Sequence, residues 1–209
     1  AESVVASIRD AGGEAIAIGG DVGSAEDIKA MFAAVDQYFG RLDGLVNNAG
    51  VVDMPQRIED YSPERLDRMF RINITGSFLC AAEAVRRMST RHGGKGGAIV
   101  NVSSMAAILG SPSQYVDYAA SKAAIDTFTI GLSREVATEN IRVNAVRPGI
   151  IDTDIHASGG LPDRVRDMTP LIPMQRAGTA DEIADTILYL LGPTASYITG
   201  ALVNVSGGR

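Results

Sequence analysis

Short apolar runs alternate with longer amphipathic segments along the whole chain, and this alternation leaves few folds open. LDGLVNNAG from Leu42, GAIVNVSS from Gly97, IRVNAVRPG from Ile141 and ALVNVSGG from Ala201 are rich in β-branched residues and end in polar or glycine punctuation. Runs this short and this uniformly apolar suit strands covered on both faces, and strands separated by helix-length segments pair in parallel. The expected fold is α/β: a doubly wound parallel sheet wrapped by helices, in a single domain over residues 1–209. No internal repeat or composition break marks a second domain.

The helical segments carry their own start and stop signals. Residues 1–11 read as the end of a helix closed by glycines, EAIAIGGDV from Glu14 as a further strand, and SAEDIKAMFAAVDQYFG from Ser24 as a helix with an acidic first turn. Ser62, Pro63 and Glu64 supply an N-cap, a proline at N1 and an acid at N2 for a long helix running to about Thr90. QYVDYAASKAAIDTFTIGLSREVATEN from Gln114 predicts a second long helix. After Gly149 the periodicity dissolves until about Gly178, a candidate lid, before a helix from Thr179.

Composition narrows the chemistry. A formal charge of -6, from 19 Lys and Arg against 25 Asp and Glu, gives no electrostatic reason to bind nucleic acid or anionic lipid, so a small-molecule partner is expected. No apolar stretch is long enough to cross a bilayer, and nothing near Ala1 reads as a signal peptide, which makes the cytoplasm the default location. The single cysteine, Cys80, lies in the apolar helical stretch SFLCAAEAV and reads as a buried thiol rather than a nucleophile. No cluster has metal-ligand spacing, so no metal is expected.

Tyr118 and Lys122 stand four apart in the helical run YAASK, so phenol and ammonium rise from one helix face. A phenol with a pKa of about 10 is a poor base near neutrality, but an adjacent cation favours the phenolate and brings proton transfer within reach. Tyr-x-x-x-Lys alone is a permissive pattern; its neighbours sharpen it. Ser104 closes the third apolar run, and a strand's carboxyl end opens into the crevice that holds ligands in parallel sheets. Asn47 and Asn48 end the preceding run, and Asn73 lies inside a helix, where asparagine has poor propensity.

Taken in order, NNAG at 47–50, NxxG at 73–76, the serine after NV, YxxxK at 118–122 and RPG at 147–149 resemble the short-chain dehydrogenase/reductase family over essentially the whole chain. The resemblance implies a Rossmann-like sheet, NAD or NADP as cofactor, and interconversion of an alcohol and a ketone by hydride transfer. By position, it implies that Tyr118 is the acid/base, that Ser104 hydrogen-bonds the reacting oxygen, and that Lys122 lowers the Tyr118 pKa and binds nicotinamide-ribose hydroxyls. Asn73 would hold a water linking Lys122 to bulk solvent. Asp21 and Val22 would meet the adenine, Asn47, Ala49 and Gly50 the adenosine ribose and cleft floor, and Pro148, Gly149, Ile151 and Thr153 the carboxamide and pyrophosphate side. Gly50 and Gly149 also read as turn glycines, and Asn48 as backbone support. A homotetramer through the two long helices and the C-terminal segment is expected by the same analogy.

Other residues read more plainly. Ser103 should point away from Ser104 if strand alternation persists. Tyr115 has no lysine four residues on and reads as pocket lining; His92 sits in a glycine-rich surface turn; His156 lies in the lid, with a surface role expected and substrate contact the alternative.

The family opens with a strand, a glycine-rich turn, a helix and a second strand, and these are not among the residues of this sequence. In the family's strand order they belong between EAIAIGGDV and LDGLVNNAG, so a polypeptide of these residues alone is expected to aggregate and to bind dinucleotide poorly. The residue that selects NAD or NADP belongs to the same segment. A serine hydrolase is disfavoured, because Ser104 is not in G-x-S-x-G; a non-catalytic protein derived from the oxidoreductase fold is the stronger rival.

Overall fold

In the computed structural model, which describes residues 1–209, four parallel strands form one sheet. β1 (Gly44–Asn47), β2 (Gly97–Val102), β3 (Ile141–Pro148) and β4 (Leu202–Val205) lie side by side in chain order. The register places Asn47 opposite Asn101, Asn101 opposite Ala145, and Ala145 opposite Leu202, so the polar strand ends are level with one another.

Alternation along the strands divides the core between the two faces of the sheet. Ile99, Ile141 and Val143 pack with Ile28 and Phe32 of α2 (Ala25–Phe39) and with Cys80, Ala84 and Met88 further along the chain. Val100 and Val146 face the other way, against Ile183 and Leu190. The sheet is thus wound on both faces, and the expected single-domain, Rossmann-like α/β fold is what the structure has. Cys80 is buried and free, as its apolar run predicts.

The helices start where the sequence signals them. α1 (Glu2–Asp10) precedes α2, whose N-cap Ser24 accepts a hydrogen bond from the Asp27 N–H and whose C-cap, Gly40, is left-handed. α3 (Pro63–Phe70) begins on the Ser62 cap with proline at N1. One widened π turn, Arg71–Gly76, joins it to α4 (Ser77–Met88). The expected single helix is therefore interrupted at the asparagine singled out for its poor propensity. α5 (Ala106–Leu109) and α6 (Val116–Glu135) follow β2. The stretch expected to be irregular holds two short helices, α7 (Ile155–Ser158) and α8 (Arg164–Met168), and α9 (Ala180–Leu191) starts on a complete capping box between Thr179 and Glu182.

One expected strand is absent. Residues 14–22, EAIAIGGDV, join no ladder, and most of them are exposed. β-branched composition favours a pleated, half-buried surface but does not make a strand without a partner to complete the hydrogen bonds. The edge strand β1 pairs with β2 alone. No helix is long and apolar enough to cross a membrane.

Candidate active site

The two serines after β2 separate as strand alternation requires. Ser103 is buried and donates to the Lys122 carbonyl at 3.1 Å, fastening the strand end to α6. Ser104 faces the cleft: its Oγ accepts from the Ala106 N–H at 3.1 Å, and its hydroxyl acts on the Tyr118 phenol. Serine and phenol thus converge on one point above the sheet.

Burial pushes the Tyr118 phenol above its ordinary value, while the Ser104 hydroxyl and the charge of Arg164 pull it down. The net direction is upward, where the Tyr-x-x-x-Lys spacing led us to expect a depressed value. Lys122 Nζ lies 5.6 Å from the centroid of the Tyr118 ring and donates to the Val102 carbonyl at 2.8 Å. Its ammonium is buried, and that burial lowers its pKa from 10.5 to about 8 against the opposing pull of Asp126.

The π turn delivers Asn73 to the same place. Its amide clamps the backbone of Val51, accepting from the N–H at 2.8 Å and donating to the carbonyl at 2.9 Å, and it also donates to Ser121 Oγ at 3.1 Å. Asn73 therefore fixes the strand-end loop against α6, one residue from Lys122. Gly50 forms the floor between them: a Cβ there would lie 3.4 Å from Lys122 Nζ and 3.5 Å from Asn73 Oδ1.

The remaining candidates are more dispersed. Asn47 turns inward, donating to Asn101 Oδ1 at 2.9 Å and to the Ser77 carbonyl at 3.2 Å, which gives it a bracing role between β1, β2 and α4. Ala49 and Gly50 are exposed at the β1 end of the cleft. Asp21 Oδ1 accepts from the Gly23 N–H at 2.8 Å, and the Val22 carbonyl sits against Gly76, where an added Cβ would come within 2.6 Å of its oxygen. The Pro148 carbonyl accepts from the Met105 N–H at 2.9 Å, tying β3 to the loop after Ser104. A Cβ on Gly149 would approach Ser206 Cα to 2.8 Å, so close backbone packing, rather than a turn, requires glycine here. Ile151 pairs with Gly178 across an isolated bridge, and Thr153 is exposed beside it.

Several groups around the site gave no signal in the sequence. Asp117, next to Tyr118, receives a buried bidentate pair from Arg65, with Nε to Oδ2 at 2.7 Å and Nη2 to Oδ1 at 3.2 Å. The partners lie 52 residues apart, so only the fold joins them. Arg65 also donates to the Met54 carbonyl at 2.6 Å and to Gln56 at 2.9 Å, fixing the 51–57 loop to the N-terminus of α6. One turn beyond Lys122, Asp126 accepts from Arg147 at 2.8 Å. Tyr115 donates its hydroxyl to the Gly159 carbonyl at 2.8 Å, so the lid is latched to the loop before the Tyr118 helix. His156 binds the Ile151 carbonyl at 2.8 Å within the lid, and His92 is exposed.

The chain is similar to known proteins along its whole length. A family profile described as enoyl-(acyl carrier protein) reductase matches residues 1–209. The chain is 52% identical over 209 residues to an uncharacterized oxidoreductase, YgfF, of Escherichia coli K12, covering 100% of this chain and 85% of that protein. Its fold is similar to a short-chain type dehydrogenase/reductase from Mycobacterium marinum, with a TM-score of 0.92 and 34% identity over 99% of this chain and 80% of the other. It is also similar to an NAD+-bound xylitol dehydrogenase, with a TM-score of 0.88 and 33% identity over 99% of this chain and 84% of the other.

Proposed function

The chain belongs to the short-chain dehydrogenase/reductase family of oxidoreductases, and from that premise we propose that it interconverts a secondary alcohol and a ketone using NAD or NADP, with Tyr118 as acid/base. The observation that carries the reading is the convergence of Ser104, Tyr118 and Lys122 at the carboxyl end of β2.

The residues present fit the nicotinamide-ribose end of a dinucleotide. Lys122 spends one of its three N–H donors on the Val102 carbonyl, leaving two for ribose hydroxyls, and Gly50 keeps the space beside that ammonium free of a side chain. When bound, the nicotinamide supplies or takes up the hydride. Tyr118 then handles the proton at its phenolic oxygen, giving it to the carbonyl oxygen in reduction and receiving it from the hydroxyl in oxidation. Its raised pKa keeps the proton on near neutrality, which serves the reductive direction. Ser104 holds the same substrate oxygen, so negative charge developing there meets two oriented O–H groups. Asn73 acts by position, holding Val51 and Ser121 beside Lys122, and a water held by Asn73 would complete a proton path to solvent. Asp21, Val22, Asn47, Ala49, Gly50, Pro148, Gly149, Ile151 and Thr153 follow the cofactor's length on this reading.

The proposal extends to a homotetramer formed through the two long helical segments, α3–α4 and α6, and the C-terminal segment, supported by the exposure of Phe78 on α4 and Val116 on α6. The working compartment is taken as the cytoplasm, where the unpaired Cys80 stays reduced.

Fluorescence titration of the full-length protein, expressed from its natural start codon, with NADH and NADPH, followed by a screen of alcohols and ketones at the nicotinamide band, tests the core of the reading. Turnover in the wild type and a loss of about 100-fold or more in Tyr118→Phe is the expected result. A folded protein that binds neither dinucleotide would refute it.

A further inference from the structure

Arg164 opens α8 in the lid, yet its guanidinium reaches back to the loop that precedes Tyr118. Nη1 donates to Gln114 Oε1 at 2.6 Å, and the guanidinium carbon lies 5.4 Å from the centroid of the Tyr115 ring. Tyr115 is itself latched to the lid through Gly159. The side chain is half-buried, and none of the molecule's ion pairs includes it. The acids nearest to it in sequence are already engaged: Asp163 and Asp167 both bind Arg166, each at 3.0 Å.

A half-withdrawn cation with no carboxylate is an unusual arrangement in a chain of net charge -6. One of its five N–H donors is spent on a neutral amide oxygen, and the planar fork remains available for a bidentate oxyanion. Its charge also reaches the reacting group, since it pulls down the Tyr118 phenol and, after burial, the His156 imidazole. The lid therefore brings a free positive charge to the mouth of the cleft.

We propose that Arg164 is a substrate anchor, selecting hydroxy or keto substrates that carry a carboxylate or phosphate group away from the reacting carbon. This specificity rests on the oxidoreductase reading above. The anion would bridge lid and cleft, with Gln114 and Tyr115 setting the orientation of the fork.

The test compares matched substrates on the intact enzyme: a 3-hydroxy acid, its neutral methyl ester and a hydroxyalkyl phosphate, with wild type, Arg164→Gln and Arg164→Lys. The expected result is a kcat/KM loss of at least about tenfold for one or both anions in Arg164→Gln, as for removal of a charge-assisted hydrogen bond, with the ester changing less than about threefold. Arg164→Lys should fall between, keeping the charge without the fork. The acid and the phosphate, read side by side, tell which oxyanion the site takes. Equal losses for anion and ester would make Arg164 a lid support and overturn the proposal. Turnover of the ester with no preference for either anion would also overturn it while leaving the oxidoreductase reading intact. A second readout is independent of turnover: calorimetric binding of the acid and the phosphate to Tyr118→Phe, with and without dinucleotide. Binding that disappears in Tyr118→Phe/Arg164→Gln supports the anchor, and absence of binding by either anion overturns it.

Discussion

Replacing Lys122 by methionine should reveal how much stability the fold gives up to keep an ammonium at the centre of its site. The ammonium is buried and its pKa falls from 10.5 to about 8. That displacement corresponds to about 3 kcal/mol of differential free energy between the two protonation states. The unfolded chain holds the proton up to about 10.5, whereas the folded one releases it near 8, so between those values the unfolded state binds more protons and stability rises with pH. The destabilisation is full below pH 8 and relieved by about 10.5. Methionine has no such dependence. It loses the hydrogen bond to the Val102 carbonyl, a cost of about 1–2 kcal/mol that does not titrate with the amine. Lys122→Met should therefore be more stable than wild type by roughly 1–2 kcal/mol at pH 7, and this advantage should vanish or reverse by about pH 10. Urea denaturation of both proteins at pH 7, 8.5 and 10, without cofactor, measures the difference, and the titrations common to both cancel in it. Stability differences that stay constant across that range would refute the assignment of a depressed, burial-driven pKa to Lys122.

Two structural predictions follow from contacts around the site. Asp117→Ala should cost about 3–5 kcal/mol by stranding the buried Arg65 guanidinium, and Arg65→Met/Asp117→Leu should recover much of it, both read by thermal melting; an unchanged melt for the single variant would contradict the buried pair. Gly149→Ala forces a Cβ to 2.8 Å from Ser206 Cα, so β3 and β4 must separate, and a loss of about 1–3 kcal/mol in chemical denaturation is expected, which a wild-type midpoint would disprove.

The fold was legible where local periodicity and long-range pairing agree. β1 to β4 are short apolar runs whose partners are the next runs along the chain, so reading each one locally suffices. EAIAIGGDV shows the limit: its composition is that of a strand, but strand formation depends on a neighbour that no local pattern reports. The site divides along the same line. Tyr118 and Lys122 share a helix face, and the opposite orientations of Ser103 and Ser104 follow from strand alternation, so these are visible as spacings. Arg65 with Asp117, and Arg164 with Gln114, meet across 52 and 50 residues. Arg65 and Arg164 look like ordinary surface arginines until tertiary structure sets them down against Asp117 and Gln114. The upward shift of Tyr118 was missed for a related reason: burial depends on the whole fold, whereas a neighbouring cation can be read from four letters.

The π turn at Asn73 makes the helix through residues 63–88 behave as two geared shafts rather than one rod. Arg65 and Met69 are the buried positions before it, Cys80, Ala81, Ala84 and Met88 pack into the core after it, and the turn joins the two stripes. Each residue of a helix advances the side-chain direction by about 100°. A π turn holds one residue more than an α turn, so deleting one residue from Arg71–Gly76 would restore ordinary winding and leave the α4 stripe in the core, while removing the bulge that sets Asn73 against Val51 and Ser121. The extra residue is thus a device for aiming one side chain: the helix keeps its packing on both sides of the bulge and uses the spare residue to turn Asn73 toward the site.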